Sequence, residues 1–216
     1  MKQVGGIWLP DNEEHLVQYM QQVSSFVDGK LTYQYNKLQA ALRYVKNWDT
    51  AIDIGAHVGL WSMHLVKRFS RVIAFEPSSE HCLCLAKNVP TGNFELFRMA
   101  LGDQAGWGNL AFEKGSSGGT HIIRNDKAGN ILIRQLDDFN FKRVGFIKID
   151  VEGFELFVVQ GGELVICRDH PVICIEQKPK GLAERYGVER FAARKLLESW
   201  GAHMVEEISG DYILTW

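Results

Sequence analysis

The chain has 216 residues, 46% of them hydrophobic and 23% charged, with a formal net charge of −2. That length allows a sheet covered on both faces, and the charge balance gives no positive field to recruit nucleic acid. No apolar run is long enough to cross a bilayer and residues 1–6 lack the apolar core of a secretory signal, so the expectation is a cytoplasmic protein without a membrane partner.

Residues 1–48 read as an N-terminal helical cover. Residues 7–11 suggest a short extended segment, after which Asp11 caps a helix. Glu13 and Glu14 sit in its first turn, and Leu16, Met20 and Val23 form its apolar side. A loop around residues 28–30 leads to a second helix whose buried stripe is Leu38, Ala41, Leu42 and Val45. Tyr33, Gln34 and Lys37 precede that stripe or lie off it. Tyr33 and Lys37 read as part of a solvated face, with reach to a ligand carboxylate as the alternative.

Residues 51–59 form a strand that stops at Gly55, turns through Ala56 and His57 and enters a helix with Val58, Trp61, Leu65 and Phe69 on one face. A glycine there allows a sharp turn and close approach of a ligand. Residues 71–76 form a second strand. It ends in Glu76, about 20 residues after Gly55, where a nucleotide-binding α/β domain places a ribose acid. Gly55 and Gly59 do not make the Gly-x-Gly-x-x-Gly turn of a dinucleotide site, so the turn suits a ligand without pyrophosphate. A nicotinamide-dependent oxidoreductase stands as the rival reading.

Ser78 can cap the next helix, with Cys82, Leu85, Ala86 and Val89 on its apolar side. The four cysteines (Cys82, Cys84, Cys167 and Cys174) lie in apolar stretches and read as buried free thiols. Residues 94–99 suggest a third strand, ending in a turn at 100–103 that can wall an adenine ring. Residues 105–135 read as a small β insertion with strands at 107–113, 120–123 and 130–134. A glycine-rich link at 115–119 separates the first two, and residues 117–121 read either as a mobile lid or as a hairpin connection.

Residues 145–149 deliver Asp150 and Glu152 to the same edge of the sheet, with Gly153 turning into a helix that runs toward Arg168. Glu155 adds a third carboxyl, and such crowding is costly unless cations, backbone donors or a substrate proton offset it. A strand at 172–176 follows, then a helix with Val188, Ala192, Leu196 and Trp200 on one side. Strands at 203–208 and 212–216, joined by 209–211, close the chain. Five βα-like units ending in a hairpin predict a doubly wound α/β sheet within a single domain spanning 1–216.

Asp-Ile-Gly-Ala-His-Val-Gly at 53–59 resembles motif I of the class I S-adenosylmethionine-dependent methyltransferases. Together with Leu60-Trp61-Ser62, Ala74-Phe75-Glu76-Pro77, Ala100-Leu101-Gly102-Asp103 and Ile147-Lys148-Ile149-Asp150-Val151-Glu152-Gly153-Phe154-Glu155, it resembles the FkbM family, over residues 50 to 178. The family usually carries Asn where His57 stands. The resemblance implies a Rossmann-like class I methyltransferase sheet with an antiparallel last strand, S-adenosylmethionine as cofactor, and methyl transfer to a hydroxyl of a sugar or other small molecule. It places Gly55, His57 and Gly59 about the methionine part, Glu76 at the ribose and Ala100 and Leu101 beside adenine, and it counts Asp53, Ala56, Trp61, Ser62, Pro77 and Ser78 among the cofactor-binding residues. Asp150 then faces the sulfonium end and the acceptor.

An alcohol acceptor must lose its proton as it attacks. Asp150, Glu152 and His121 are the candidates to take it, and Asp150 can instead serve only to position the cofactor. His15, His64, His81, His170 and His203 read as structural. Asp150 and Glu152 alone do not establish a metal site, so none is expected. N-methylation of a small molecule or protein is the alternative transfer.

Overall fold

Strands that are apolar at nearly every position leave no face for water, and they belong in the middle of a sheet covered on both sides. The computed structural model describes all residues except 24, 91, 114–115 and 179–181, and the side chains of residues 23, 113 and 116 also lie outside the described set. Gly115 of the predicted glycine-rich link therefore falls outside the description, as does the side chain of Val23.

The cover holds more than two helices. A hairpin of β1 (Lys2–Val4) and β2 (Ile7–Leu9) precedes α1 (His15–Val23), and a second hairpin of β3 (Phe26–Val27) and β4 (Lys30–Leu31) precedes α2 (Tyr35–Leu42). Asp11 does not cap α1. Its carboxylate takes the N-terminal ammonium at 2.8 Å, while buried Glu13 accepts the Leu16 N–H at 2.6 Å.

Chain alternation then builds β5 (Thr50–Ile54), α3 (Ser62–Leu65), β6 (Arg71–Phe75), α4 (Ser79–Asn88) and β7 (Phe94–Phe97). The insertion supplies β8 (Ala100–Leu101), β9 (Gly106–Glu113), β10 (Ser116–Arg124) and β11 (Ile131–Arg134). The remainder is β12 (Val144–Ile149), α5 (Glu155–Gln160), α6 (Glu163–Asp169), β13 (Val172–Glu176), α7 (Ala192–Ser199), β14 (His203–Ile208) and β15 (Asp211–Thr215).

The central sheet is mixed, in the order β14-β15-β13-β12-β5-β6-β7. Ile52 lies opposite Ile73 on β6 and Ile147 on β12, and β15 runs antiparallel to β13. Connections leave β5 toward β6 on one side and reach β12 on the other, so the order reverses between β5 and β12. A crevice forms beyond the carboxyl ends of strands at such a switch point. One face carries α5, α6 and α7 over Ile52, Ile54, Ile147 and Ile173; the other carries α2 and α3 over Ala51, Val72 and Phe146.

Several local expectations give way to tertiary contacts. The helix after Gly55 is only the four residues of α3, although Val58, Trp61, Leu65 and Phe69 are all buried. The helix expected at 154–168 is two, broken at Gly161 and Gly162, because the Gly102 carbonyl occupies the space that a Cβ on Gly161 would need. On α4 Ala86 is exposed and Cys84 buried, since α4 packs on β2 of the cover. On α7 the buried residues are Ala193 and Leu197, one position from the predicted stripe, and Val188 precedes the helix. Cys167 is exposed; Cys82, Cys84 and Cys174 are the buried free thiols.

Lys37 is the clearest departure. It does not lie on a solvated face: it is buried and ion-paired to buried Asp211 at the start of β15, pinning α2 to the sheet. Removing one partner leaves an uncompensated buried charge. Lys37→Ala should lower the unfolding free energy by about 3 kcal/mol in urea titrations, whereas Lys37→Met combined with Asp211→Leu should recover most of that loss.

Candidate active site

The carboxyl ends of β5, β6 and β12 deliver Gly55, Glu76 and Asp150 to one cavity of about 450 Å³. Its far walls come from the cover (His15, Leu16, Tyr33, Gln34) and from residues 117–122 of β10. The stretch read as a lid or a connection is thus part of a strand, with an irregular register between Ser116 and His121.

Gly55 has φ +74°, and the space its Cβ would need is filled by the Asp150 carbonyl. The glycine serves the close approach of the chain just after β12. Likewise Gly59, at φ +85°, makes room for Leu85 of α4 and for Val89 just after it. His57 adopts φ +51°, a conformation that Asn, Asp and His tolerate better than most residues.

Glu76 is buried and held from three sides. Oε1 accepts the Ser78 N–H at 2.8 Å and lies 3.2 Å from His81 Nδ1, while Oε2 accepts the His57 N–H at 2.8 Å. A carboxylate oxygen has two lone pairs. Oε1 therefore has both engaged, and Oε2 keeps one for a ligand hydroxyl. Ser78 caps α4 through the His81 N–H, as its position suggested.

His57 is part of a second tie. Its Nε2 lies 2.7 Å from Ser117 Oγ, and that hydroxyl donates to Glu13 of the cover, which also accepts the Ser117 N–H at 2.8 Å. With the hydroxyl proton committed to Glu13, His57 donates from Nε2. Burial, with His81 and Lys148 nearby, holds the His57 ring neutral, well below the ordinary histidine pKa. The turn, the insertion and the cover are thereby joined.

Lys148 fixes the charge at the centre. Its Nζ donates to the Gly55 carbonyl at 2.8 Å and lies 3.5 Å from Asp53 Oδ1 and 3.6 Å from Asp150 Oδ2. Burial alone would lower its pKa, but the carboxylates of Asp150 and Asp53 outweigh that and keep it charged. Burial would raise the Asp150 pKa, yet Lys148 and Lys178 hold it below the usual carboxylate range. Glu176, at the end of β13, is pushed well above that range by burial and by Asp150 beside it. Its Oε1 pairs with Lys178 at 2.9 Å. Two adjacent carboxyls do not both ionise readily, and the more buried one keeps the proton. Asp150, Glu152 and Glu176 each bring an oxygen within 4.8 Å of the others, a spacing a cation could bridge. In this structure Lys148 and Lys178 provide the compensating charge for Asp150.

Among the residues singled out from sequence, Gly55, Ala56, His57, Trp61, Glu76, Pro77, Ala100, Leu101, His121, Asp150 and Glu152 line the cavity. Asp53, Gly59, Ser62 and Ser78 stand behind its wall. Asp53 Oδ2 accepts the Ser62 hydroxyl at 2.6 Å, so this pair braces β5 and is corrected from direct contact to support. Lys148, Glu176, Lys178 and Gln34 carried no assignment to the site, and Tyr33, also on the wall, had reach to a ligand carboxylate only as the alternative to a solvated face. His15 and His81, read as structural, are on the wall.

Residues 53–204 match the family model of the methyltransferase FkbM domain. The chain belongs to the FkbM methyltransferase family. At the level of its family it is an S-adenosylmethionine-dependent methyltransferase domain, with S-adenosylmethionine as cofactor. None of the curated proteins matches it. Among solved structures it is similar to methyltransferase FkbM from Methylobacillus flagellatus KT, at 18% identity and TM-score 0.45, covering 77% of this chain and 42% of that one. The chain thus spans less than half of that protein. N-methyltransferase NodS from Bradyrhizobium japonicum WM9 is 9% identical with TM-score 0.50, covering 84% of this chain and 90% of that one. Identities this low speak for the fold alone.

The cavity fits the cofactor that the family uses. Its volume lies in the range of small-molecule sites, and the fixed Glu76 carboxylate stands on its wall with an acceptor lone pair to spare. The turn beneath Asp150 is braced by Glu155, whose buried Oε1 accepts the N–H groups of Val151 at 3.2 Å and Gly153 at 3.0 Å. Burial pushes its pKa from 4.5 up to about 7, against the pull of those donors. A folded-state value above the unfolded one makes the contribution complete in acid and lost as pH rises through about 7. FkbM-family wild type should therefore lose about 3 kcal/mol more stability between pH 4.5 and 8 than Glu155→Gln, read from urea unfolding at each pH.

Proposed function

We propose that the protein transfers the methyl group of S-adenosylmethionine to a hydroxyl of a sugar or another small molecule, within a single domain that includes the cover and the insertion. The carrying observation is the carboxylate of Asp150 on the cavity wall, charged beside Lys148 and Lys178 and backed by Glu176. An acidic wall and a net charge of −2 favour an uncharged acceptor over nucleic acid.

In this reading Glu76 accepts a hydrogen bond from a ribose hydroxyl through the free lone pair of Oε2. Ala100 and Leu101 face adenine, and Ala56, His57 and Trp61 border the methionine part. Once bound, the cofactor supplies an electrophilic methyl group on a positively charged sulfur. The work of the chain is then alignment, because an in-line transfer depends on holding donor and acceptor at near-contact distance. Asp150 orients the acceptor hydroxyl and takes its proton as the oxygen attacks. Glu152, at φ +56° beside Gly153, and His121 on β10 face the same space and complete the acceptor side.

Paired substitutions separate the two ends of the site. Glu76→Ala should weaken S-adenosylhomocysteine binding by about tenfold in calorimetry, the loss of one good hydrogen bond to a charged group. Asp150→Asn should lower methyl transfer from labelled cofactor to a panel of simple methyl glycosides by about a hundredfold, the scale of general-base assistance. Unchanged affinity in the first, near-normal transfer in the second, or label found on amines instead of hydroxyls would overturn the corresponding assignment.

A further inference from the structure

β12 and β13 pair in parallel with Ile149 opposite Ile175, so the next residues on the two strands, Asp150 and Glu176, emerge side by side. Asp150 lines the cavity, whereas Glu176 stands behind it and is 3% exposed. The two oxygens of Glu176 have different surroundings. Oε1 lies 2.9 Å from the Lys178 ammonium, but Oε2 is buried and no donor among the described residues reaches it. An ionised carboxyl only accepts, so as a carboxylate Glu176 would leave Oε2 without a partner. With a proton on Oε2 that atom becomes a donor. The carboxylate of Asp150 is the acceptor beside it, the two groups bringing oxygens within 4.8 Å of each other. A hydrogen bond from Glu176 is accordingly among the interactions that keep Asp150 ionised.

The charged groups packed around the pair assign the proton to the same side. Lys148 on β12, Lys178 after β13 and Lys37 on α2 favour charge on Asp150. Burial, Asp150 itself, Asp211 on β15 and Glu152 in the turn oppose charge on Glu176, and together they outweigh Lys178. Asp53 on β5 meets the group through Lys148, 3.5 Å away. Tyr33 from the cover and Glu155 below the turn also feel Asp150, and both hold their protons more firmly for it.

Charge and direction come from different neighbours. Lys148 stands 3.6 Å from Asp150 Oδ2, beyond hydrogen-bond distance, so it fixes the charge of that carboxylate and not its rotation. A hydrogen bond from a neutral donor fixes the rotation and leaves the charge in place. We propose that Glu176 is a positioning residue for methyl transfer: its carboxyl group, protonated on Oε2, donates to Asp150 and holds that carboxylate turned toward the acceptor hydroxyl. Glu176 keeps its own proton throughout. The inference rests on Asp150 as the group that takes the acceptor's proton.

Two variants test it. Glu176→Gln keeps an oxygen for Lys178 and presents an N–H to Asp150, so it copies the protonated carboxyl and cannot ionise; Glu176→Leu donates nothing. Glu176→Leu should lower kcat on the methyl glycosides about tenfold, and Glu176→Gln should restore most of it. In a carbon-detected NMR titration the Asp150 midpoint should rise by about one pH unit in Glu176→Leu, with the acid limb of the rate profile moving alongside, and stay near the wild-type position in Glu176→Gln. In glutamate-labelled wild type, the carboxyl resonance missing from Glu176→Gln should show the protonated shift at pH 7, a readout that needs no leucine variant to fold. Equal losses in both variants, which would mean a carboxylate is required as a base or a cation ligand, would overturn the proposal. An ionised Glu176 at pH 7 or an unmoved Asp150 midpoint in Glu176→Leu would do the same. Asp150→Asn is the separate check. Normal transfer there, with the midpoint still rising in Glu176→Leu, ends the base reading and leaves the hydrogen bond standing; impaired transfer there with an unmoved midpoint ends only the role of Glu176.

Discussion

A lysine buried where three strands end is the constraint on which the rest of the site depends. The Lys148 ammonium meets the Gly55 carbonyl, Asp53 and Asp150 at 2.8, 3.5 and 3.6 Å. Without it, the tight turn after β5 would point a carbonyl into apolar surroundings and two carboxylates would face each other across the sheet. With it, Asp150 stays charged in a place where burial alone would neutralise it. The parallel register sets Lys148 beside Asp53, one pair before the strands end, so the side chain reaches forward into the switch point.

From that centre the site is closed by parts distant in sequence. His57, Ser117 and Glu13 tie the turn to the insertion and the cover, while Lys37 and Asp211 tie α2 to the last strand. Each tie consumes polar groups that would otherwise be stranded in a poorly hydrated cavity. Glu76 follows the same logic: three contacts with the chain aim it and leave one lone pair for a ligand.

What could be read beforehand was what is local. Gly55, Glu76 and Asp150 each lie at the end of one apolar strand, and a strand followed by its turn is visible in a few residues. Glu176 ends such a strand too, but nothing near it distinguishes it, and its meaning comes from Asp150 on the neighbouring strand. Lys37 lies off the predicted stripe of α2 and is buried because Asp211 waits for it, 174 residues away. Lys148 reads in sequence as the polar member of an alternating strand. Gly161 breaks a helix because of a carbonyl contributed from Gly102, and the glycine-rich stretch at 117–119 is an irregular part of β10 because Ser116 and His121 on either side of it pair with β9. Composition predicts a turn in such a segment; the partner strand decides otherwise.

The central claim is that Lys148 sets the charge of Asp150 against its burial, with help from Lys178, from a hydrogen bond that Glu176 provides and from Lys37. A carbon-detected NMR titration of labelled aspartate carboxyls, with Asp150→Asn used to identify the resonance, measures this directly. In the wild-type protein the Asp150 carboxyl should remain ionised well below the ordinary aspartate range, and in Lys148→Met its midpoint should move clearly upward. The same midpoint in both proteins would contradict the claim.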